Sequence, residues 1–292
     1  MPPFRTLTDA QVESFLTKGY LVVKRCIDLS IGNQWISTAY ERLGYDPNDP
    51  STWVEGIIWM HHEKELPIRT LAPRAWDAIV DVVGGEERLE TKIWRAPQGL
   101  YPVNSFMWSD AFIANFHNGA ERPWQPPSAQ VGGWHKDGGY FRHFLDSPEQ
   151  GLLTLVMWTD MRHQGGGTFI APDSIKVVAR FMLEHPEGLQ PGDFNVPELI
   201  SQCHEFEEVT GEAGDFVLLH PYMLHASSQN VIRQPRWMTN PPVVLKDPLN
   251  FNRPDPGDYS LVERATLRAL GVDRLDFQPT APREQKWTPF PS

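Results

Sequence analysis

From about residue 91 to about 244 the chain consists of short apolar runs separated by turn residues, and this pattern constrains its fold most. The runs are Thr91–Arg95, Phe106–Phe116, Gly132–Lys136, Leu152–Thr159, Thr168–Ala171, Phe206–Thr210, Phe216–His220, Leu224–Ser227 and Trp237–Val244. One helical stretch interrupts them, around Ser174 to Glu184. Parallel strands need a long crossover between them, usually a helix. Regularly spaced strands without such helices close into a sandwich or barrel instead. The expected class is therefore mainly β with α decoration, its core a double-stranded β-helix of jelly-roll or cupin-like type.

Helices flank this core. Thr8 is positioned to cap a helix whose apolar face is Val12, Phe15 and Leu16, and Gly19 stops it. Tyr20-Leu21-Val22-Val23 reads as a buried strand, and amphipathic stretches follow at about Ser30–Leu43 and Ala72–Val83. Near the other end Ser260 and Glu263 match a capping box, with Gly271 as the stop. One domain over residues 1–292 is expected: a helical part to about 90, the jelly-roll core from about 91 to 245, and an extension from about 246.

A net charge of -11 disfavours phosphate backbones, so nucleic acid is not an expected partner. No run of eighteen apolar residues is present and Met1-Pro2-Pro3-Phe4-Arg5 does not read as a secretory leader, so no membrane is expected either. With only Cys26 and Cys203, a disulfide framework is not expected, and the cytoplasm is the expected compartment. The expected partner is a small molecule, and oligomeric state is left open.

The chemistry is expected in Gly132-Gly133-Trp134-His135-Lys136-Asp137-Gly138-Gly139. In a strand, His135 and Asp137 point to the same face. With a third ligand from elsewhere they make a two-histidine, one-carboxylate facial triad, which leaves metal positions open. In a chain with 10 His the spacing alone says little. His61-His62-Glu63 lies in a charged stretch that reads as solvated surface, and Pro186 divides His185 from Glu187. The third ligand comes from Gly214-Asp215-Phe216-Val217-Leu218-Leu219-His220-Pro221-Tyr222-Met223-Leu224-His225. His220 precedes a proline at a corner and is read as structural, whereas His225 lies within the following strand. Eleven residues on, Arg236 offers a guanidinium that binds a carboxylate through two parallel hydrogen bonds, with Arg233 as its rival.

In their order and spacing these residues resemble the phytanoyl-CoA dioxygenase family of iron(II), 2-oxoglutarate-dependent oxygenases. The matching positions are His135-Lys136-Asp137, Trp158, Gly165-Gly166-Gly167-Thr168, Pro172-Asp173-Ser174, Gly214-Asp215, His220-Pro221, His225 and Arg236, with Leu7 to Val23 resembling the family's first helix and strand. The resemblance implies Fe(II) on His135, Asp137 and His225, with 2-oxoglutarate and O2 as co-substrates. It implies Arg236 and Ser227 at the distal carboxylate of 2-oxoglutarate, with Thr168 and Asn115 as further co-substrate contacts. The implied reaction oxidises, most simply hydroxylates, a small organic substrate and releases succinate and CO2. Related halogenases carry a small residue where this chain has Asp137, so the carboxylate favours hydroxylation or desaturation. The chain departs from the family at Pro172-Asp173-Ser174-Ile175, where Pro-Gly-Ser-His is usual, and shows no basic cluster for a CoA thioester. Trp134, Trp158, Phe169 and Tyr140 are weighed as pocket residues and read as core. Two alternatives stay open: a cupin-like isomerase or hydrolase using the same metal site without 2-oxoglutarate, and a non-catalytic binding relative.

Overall fold

A computed structural model describes residues 4–90, 94–95, 102–103, 106–283 and 288–289. The chain opens with α1 (Asp9–Lys18), β1 (Tyr20–Val23) and α2 (Leu29–Leu43), followed by β2 (Ile57–Trp59), β3 (Glu65–Pro67), α3 (Ile68–Leu71) and α4 (Pro73–Val83). Next come β4 (Trp94–Arg95), β5 (Pro102–Val103), β6 (Met107–Ser109), β7 (Ile113–Asn115), β8 (Leu153–Met157) and β9 (Thr168–Ala171). Then α5 (Ser174–Leu183) and α6 (Val196–Ile200) precede β10 (Glu207–Val209), β11 (Phe216–Leu219), β12 (Leu224–Ser227) and β13 (Arg236–Thr239). The order ends with α7 (Leu261–Leu270) and β14 (Thr288–Pro289).

Local chemistry explains the helix ends. Thr8 and Gln11 exchange hydrogen bonds in a capping box, and Gly19 turns left-handed at φ 71°. Ser260 and Glu263 do the same for α7. Helices α1, α4 and α5 all pack on α7, so the chain's N- and C-terminal parts are joined through one helical layer.

A six-stranded sheet runs in the order β1-β11-β8-β13-β7-β2, and a three-stranded sheet runs β10-β9-β12. Every pairing is antiparallel. Side chains from both sheets line one cavity, as the layers of a jelly roll do. The fold is a double-stranded β-helix with helices outside it. Behind the large sheet Trp237 and Trp158 are buried, Trp237 with its ring 5.2 Å from Phe112 and 5.0 Å from Tyr40, Trp158 with its ring 5.5 Å from Trp35.

Several of the expected strands are shorter or split. Phe106–Phe116 divides into β6 and β7 because buried Asp110 breaks the run: its carboxylate accepts the backbone N–H groups of Glu63 and Lys64 and pairs with Arg42. The last run ends at Thr239, since Pro241 and Pro242 have no N–H to offer a ladder. Of Thr91–Arg95, Trp94–Arg95 forms β4 and the rest lies outside the described residues. Gly132–Lys136, expected as a strand, is instead a loop with one bridge at His135.

Candidate active site

The segment carrying His135 and Asp137 is a loop stitched to the small sheet at one point. His135 and His225 exchange both backbone hydrogen bonds, at 3.0 and 3.1 Å, and no further ladder forms. Gly133 at φ 85° and Gly138 at φ 109° bend the chain out of strand geometry on either side. A Cβ on Gly138 would come within 2.5 Å of the His143 ring. The expected alternation along a strand therefore gives way to a turn, which still carries both side chains into the cavity.

A clamp holds this turn. Lys136 Nζ donates to the carbonyl of Asp137 at 3.3 Å and to His143 Nδ1 at 2.9 Å, while His143 Nε2–H donates to the carbonyl of Gly138 at 2.9 Å. Burial lowers the Lys136 ammonium to about 7. Burial, then the neighbouring Lys136, keeps His143 well below its ordinary value, so it stays neutral and can accept. Replacing His143 by leucine should leave the Gly138 carbonyl unpaired and the turn loose. Iron(II) affinity should then fall roughly 10- to 100-fold, as for other supporting contacts of metal ligands, with partial recovery in His143→Gln. Anaerobic metal titration checks this; unchanged affinity in the leucine variant would remove the clamp from metal binding.

The three expected ligands meet. One donor atom from each of His135, Asp137 and His225 lies within 4.8 Å of the others. Nε2 of His135 is 3.5 Å and Nε2 of His225 is 3.6 Å from Asp137 Oδ1. Each histidine's Nδ1 faces a carbonyl, Gly133 at 2.8 Å and Met223 at 3.1 Å, so Nδ1 carries the proton and Nε2 presents its lone pair. Burial alone would raise the Asp137 carboxyl, but the two imidazoles outweigh it and hold it well below the carboxylate range. Partial desolvation opposes the shift of His135, whose side chain is 49% exposed, and contact with Asp137 overcomes it, raising that histidine. Two imidazoles and a carboxylate converging from one side suit an octahedral divalent iron with open positions opposite.

His220 is placed elsewhere. It is fully buried, its Nε2–H donates to Thr266 Oγ1 at 3.0 Å, and its Nδ1 accepts the N–H of Tyr222 at 3.3 Å. It ties α7 to the corner that leads into β12. Burial drives its pKa from 6.5 down to about 3. The unfolded chain therefore binds a proton that the folded chain refuses between these values. Stability should fall as pH drops from about 6.5 towards about 3, by up to roughly 1.4 kcal/mol per pH unit from this residue. Urea denaturation stepped down that range should show a shallower fall in His220→Gln; an equal slope would assign the dependence to other groups.

The cavity, of about 160 Å³, is lined by His135, Asp137 and His225 together with Thr168, Ser227 and Arg236. Arg236 is 2% exposed. Its Nε donates to the Gly166 carbonyl at 2.8 Å and its Nη1 to that of Ile113 at 2.9 Å, with no carboxylate among the described residues in ion-pair reach. Burial without a counter-charge lowers its pKa to about 9. Gly166, at φ 75°, has no room for a side chain, since a Cβ would sit 2.4 Å from Asn115 Nδ2. The glycine-rich turn is thus the seat of the guanidinium. The rival Arg233 is exposed and lines no part of the cavity.

Asn115 is the expected co-substrate contact that stands apart from the cavity lining. It is buried beside the turn, with its amide donating to the Ser228 carbonyl and accepting from Asn118 N–H, and it does not line the cavity. Trp134, Trp158, Phe169 and Tyr140 do not line it either. The residues missed are Trp59, Ile113, Leu153, Thr154, Leu155, Leu219, Ala226, Met238 and Asn240. One of them was within reach of period-2 reading, because Met238 follows Arg236 on the same face of β13.

The model of the phytanoyl-CoA dioxygenase family matches residues 15–238 of this chain. The chain belongs to the phytanoyl-CoA dioxygenase family. Family membership makes it a non-haem iron, 2-oxoglutarate-dependent oxygenase. A comparison with curated proteins returns no match. Similar solved structures include the non-haem α-ketoglutarate-dependent carbocyclase SnoK from nogalamycin biosynthesis, at 12% identity, 97% of this chain, 96% of that one and TM-score 0.46. The epimerase SnoN from the same biosynthesis is similar at 14% identity, 82% of each chain and TM-score 0.41. HygX from Streptomyces hygroscopicus, with nickel and 2-oxoglutarate bound, is similar at 16% identity, 80% of this chain, 86% of that one and TM-score 0.41. Among the described residues, no helix of this family member is long and apolar enough to cross a membrane.

Proposed function

We propose that this chain hydroxylates a small organic substrate, with His135, Asp137 and His225 holding iron(II) and Arg236 binding 2-oxoglutarate. The observation that carries the reading is Arg236: a buried guanidinium without a carboxylate partner among the described residues, in the same cavity as the three converging side chains. A buried unpaired charge is costly, and a dicarboxylate co-substrate supplies the missing partner. An isomerase or hydrolase working without that co-substrate would leave the charge uncompensated.

When bound, iron and 2-oxoglutarate supply the oxidising power: O2 is consumed, 2-oxoglutarate becomes succinate and CO2, and one oxygen atom enters a substrate C–H bond. The chain's own part is placement. The histidines offer neutral Nε2 atoms in a fixed tautomer, and Asp137 offers the anionic donor. Arg236 is aimed by the Gly166 and Ile113 carbonyls, leaving its remaining N–H groups to bind the distal carboxylate. Ser227 and Thr168, paired across β12 and β9, are the hydroxyls on the same wall. The apolar side chains of Ile113, Leu153, Leu155 and Met238 exclude water from the reacting carbon.

The test is anaerobic addition of iron(II) and 2-oxoglutarate, with the visible charge-transfer band of the chelate as readout, then oxygen and a succinate assay. A band followed by succinate is expected. A native protein that shows neither, beside a control oxygenase that shows both, would overturn the reading.

A further inference from the structure

The inner face of the large sheet has a direction. Along β13, Arg236 and Met238 occupy successive inward positions, about 6.8 Å apart in an antiparallel strand, and Asn240, just past the strand's end, also lines the cavity. Arg236 pairs with Asn115 and through it with Ile57, whereas Met238 pairs with Ile113 and through it with Trp59. Arg236 is the buried end of this row, and Asn240, which is exposed, and Trp59, 59% exposed, form its open end; across the cavity His135 and Ser227 are exposed as well.

Trp59 departs from every other tryptophan whose side chain is described. Trp35, Trp53, Trp76, Trp108, Trp124, Trp134, Trp158 and Trp237 are buried or half-buried and pack against another ring. Trp59 has neither a ring contact nor a hydrogen bond among the described residues, and the Asn240 amide has no hydrogen bond there either. A tryptophan left in water forgoes a large burial gain, because this side chain buries 150–250 Å² when covered. The cavity is also small: its volume of about 160 Å³ lies below the roughly 300–1,000 Å³ of sites that enclose whole drug-sized ligands. It suits the co-substrate and the reacting end of a substrate, so the substrate's remainder must lie in the mouth.

Resting on the oxygenase reading above, we infer that the primary substrate carries a ring that lies on Trp59, with a hydrogen-bonding group held by Asn240. Trp59 then determines specificity and takes no part in binding iron or 2-oxoglutarate.

The test uses three primary alcohols as probes, 2-naphthylmethanol, cyclohexylmethanol and heptan-1-ol, titrated anaerobically into the full chain loaded with iron(II) and 2-oxoglutarate. The readout is perturbation of the charge-transfer band. In native protein the two ring alcohols should half-saturate at lower concentration than heptan-1-ol. Trp59→Ala should weaken the ring alcohols about tenfold and leave heptan-1-ol and the unperturbed band as they were, while Trp59→Phe keeps the preference. Asn240→Ala should weaken all three alike. A native protein without ring preference, or a preference that survives in Trp59→Ala, would overturn the inference and leave the oxygenase reading intact. Absence of the band from native protein would overturn both. A Trp59→Ala variant altered only in sedimentation would show that the indole covers a contact between copies on the β2 edge, again against the inference.

Discussion

Replacing Arg236 by alanine should abolish 2-oxoglutarate binding at ordinary concentrations while iron(II) still binds. The guanidinium is buried, is held by two backbone carbonyls, and faces the cavity with no carboxylate in ion-pair reach among the described residues. Truncating one partner of a buried, hydrogen-bonded charge pair costs roughly 2–5 kcal/mol, which is a factor of about 30 to several thousand in Kd. The proposed iron ligands sit on β12 and on the loop joined to it, so they do not depend on this side chain. Isothermal titration of the iron-loaded variant with 2-oxoglutarate, beside a metal titration, separates the two effects. Equal loss of both would place Arg236 in the framework of the site. Arg236→Lys should rescue poorly, because an ammonium cannot donate to the Gly166 and Ile113 carbonyls and also offer a two-pronged contact.

Replacing Asp137 by alanine should remove metal binding and with it all 2-oxoglutarate turnover. Two neutral imidazoles without the carboxylate leave a divalent cation with no anionic protein donor. In native protein, a free metal concentration about a hundred times Kd should stabilise the fold by about 2.7 kcal/mol. For a chain of this length that is a rise of several degrees in Tm. Asp137→Ala should show no such rise at the same concentration, and its succinate production should fall to the metal-free background. A variant that retained the metal-dependent rise would move the anionic ligand elsewhere. Turnover surviving with bound metal would contradict the role given to Asp137.

Helix ends were legible because they are local: Thr8 with Gln11, and Ser260 with Glu263, complete their caps within four residues. Strands β9 and β12 were legible to the residue, since each is a short apolar run closed by turn chemistry. The split between β6 and β7 was not, because Asp110 makes its bonds to residues almost fifty positions away. The loop at His135 was also misread as strand. Its departure depends on two glycines in left-handed conformations and on His143, which reaches back from a segment bridged to Leu189.

Alone, then, the sequence determined the residue types and their order: His135 and Asp137 two apart, His225 far downstream, Arg236 eleven further on, and short strands suited to a jelly roll. Those features follow from periodicity and spacing, which are properties of the chain. Only the tertiary structure put His225 and Arg236 in one cavity with His220 and Arg233 outside it, set Asn115 behind the glycine turn, and brought Trp59 and Asn240 to that cavity's exposed rim. Each of those outcomes depends on which face of which sheet a side chain occupies and on what lies across from it. Burial and partnership are created by strands pairing across a hundred residues or more, and no local pattern encodes them.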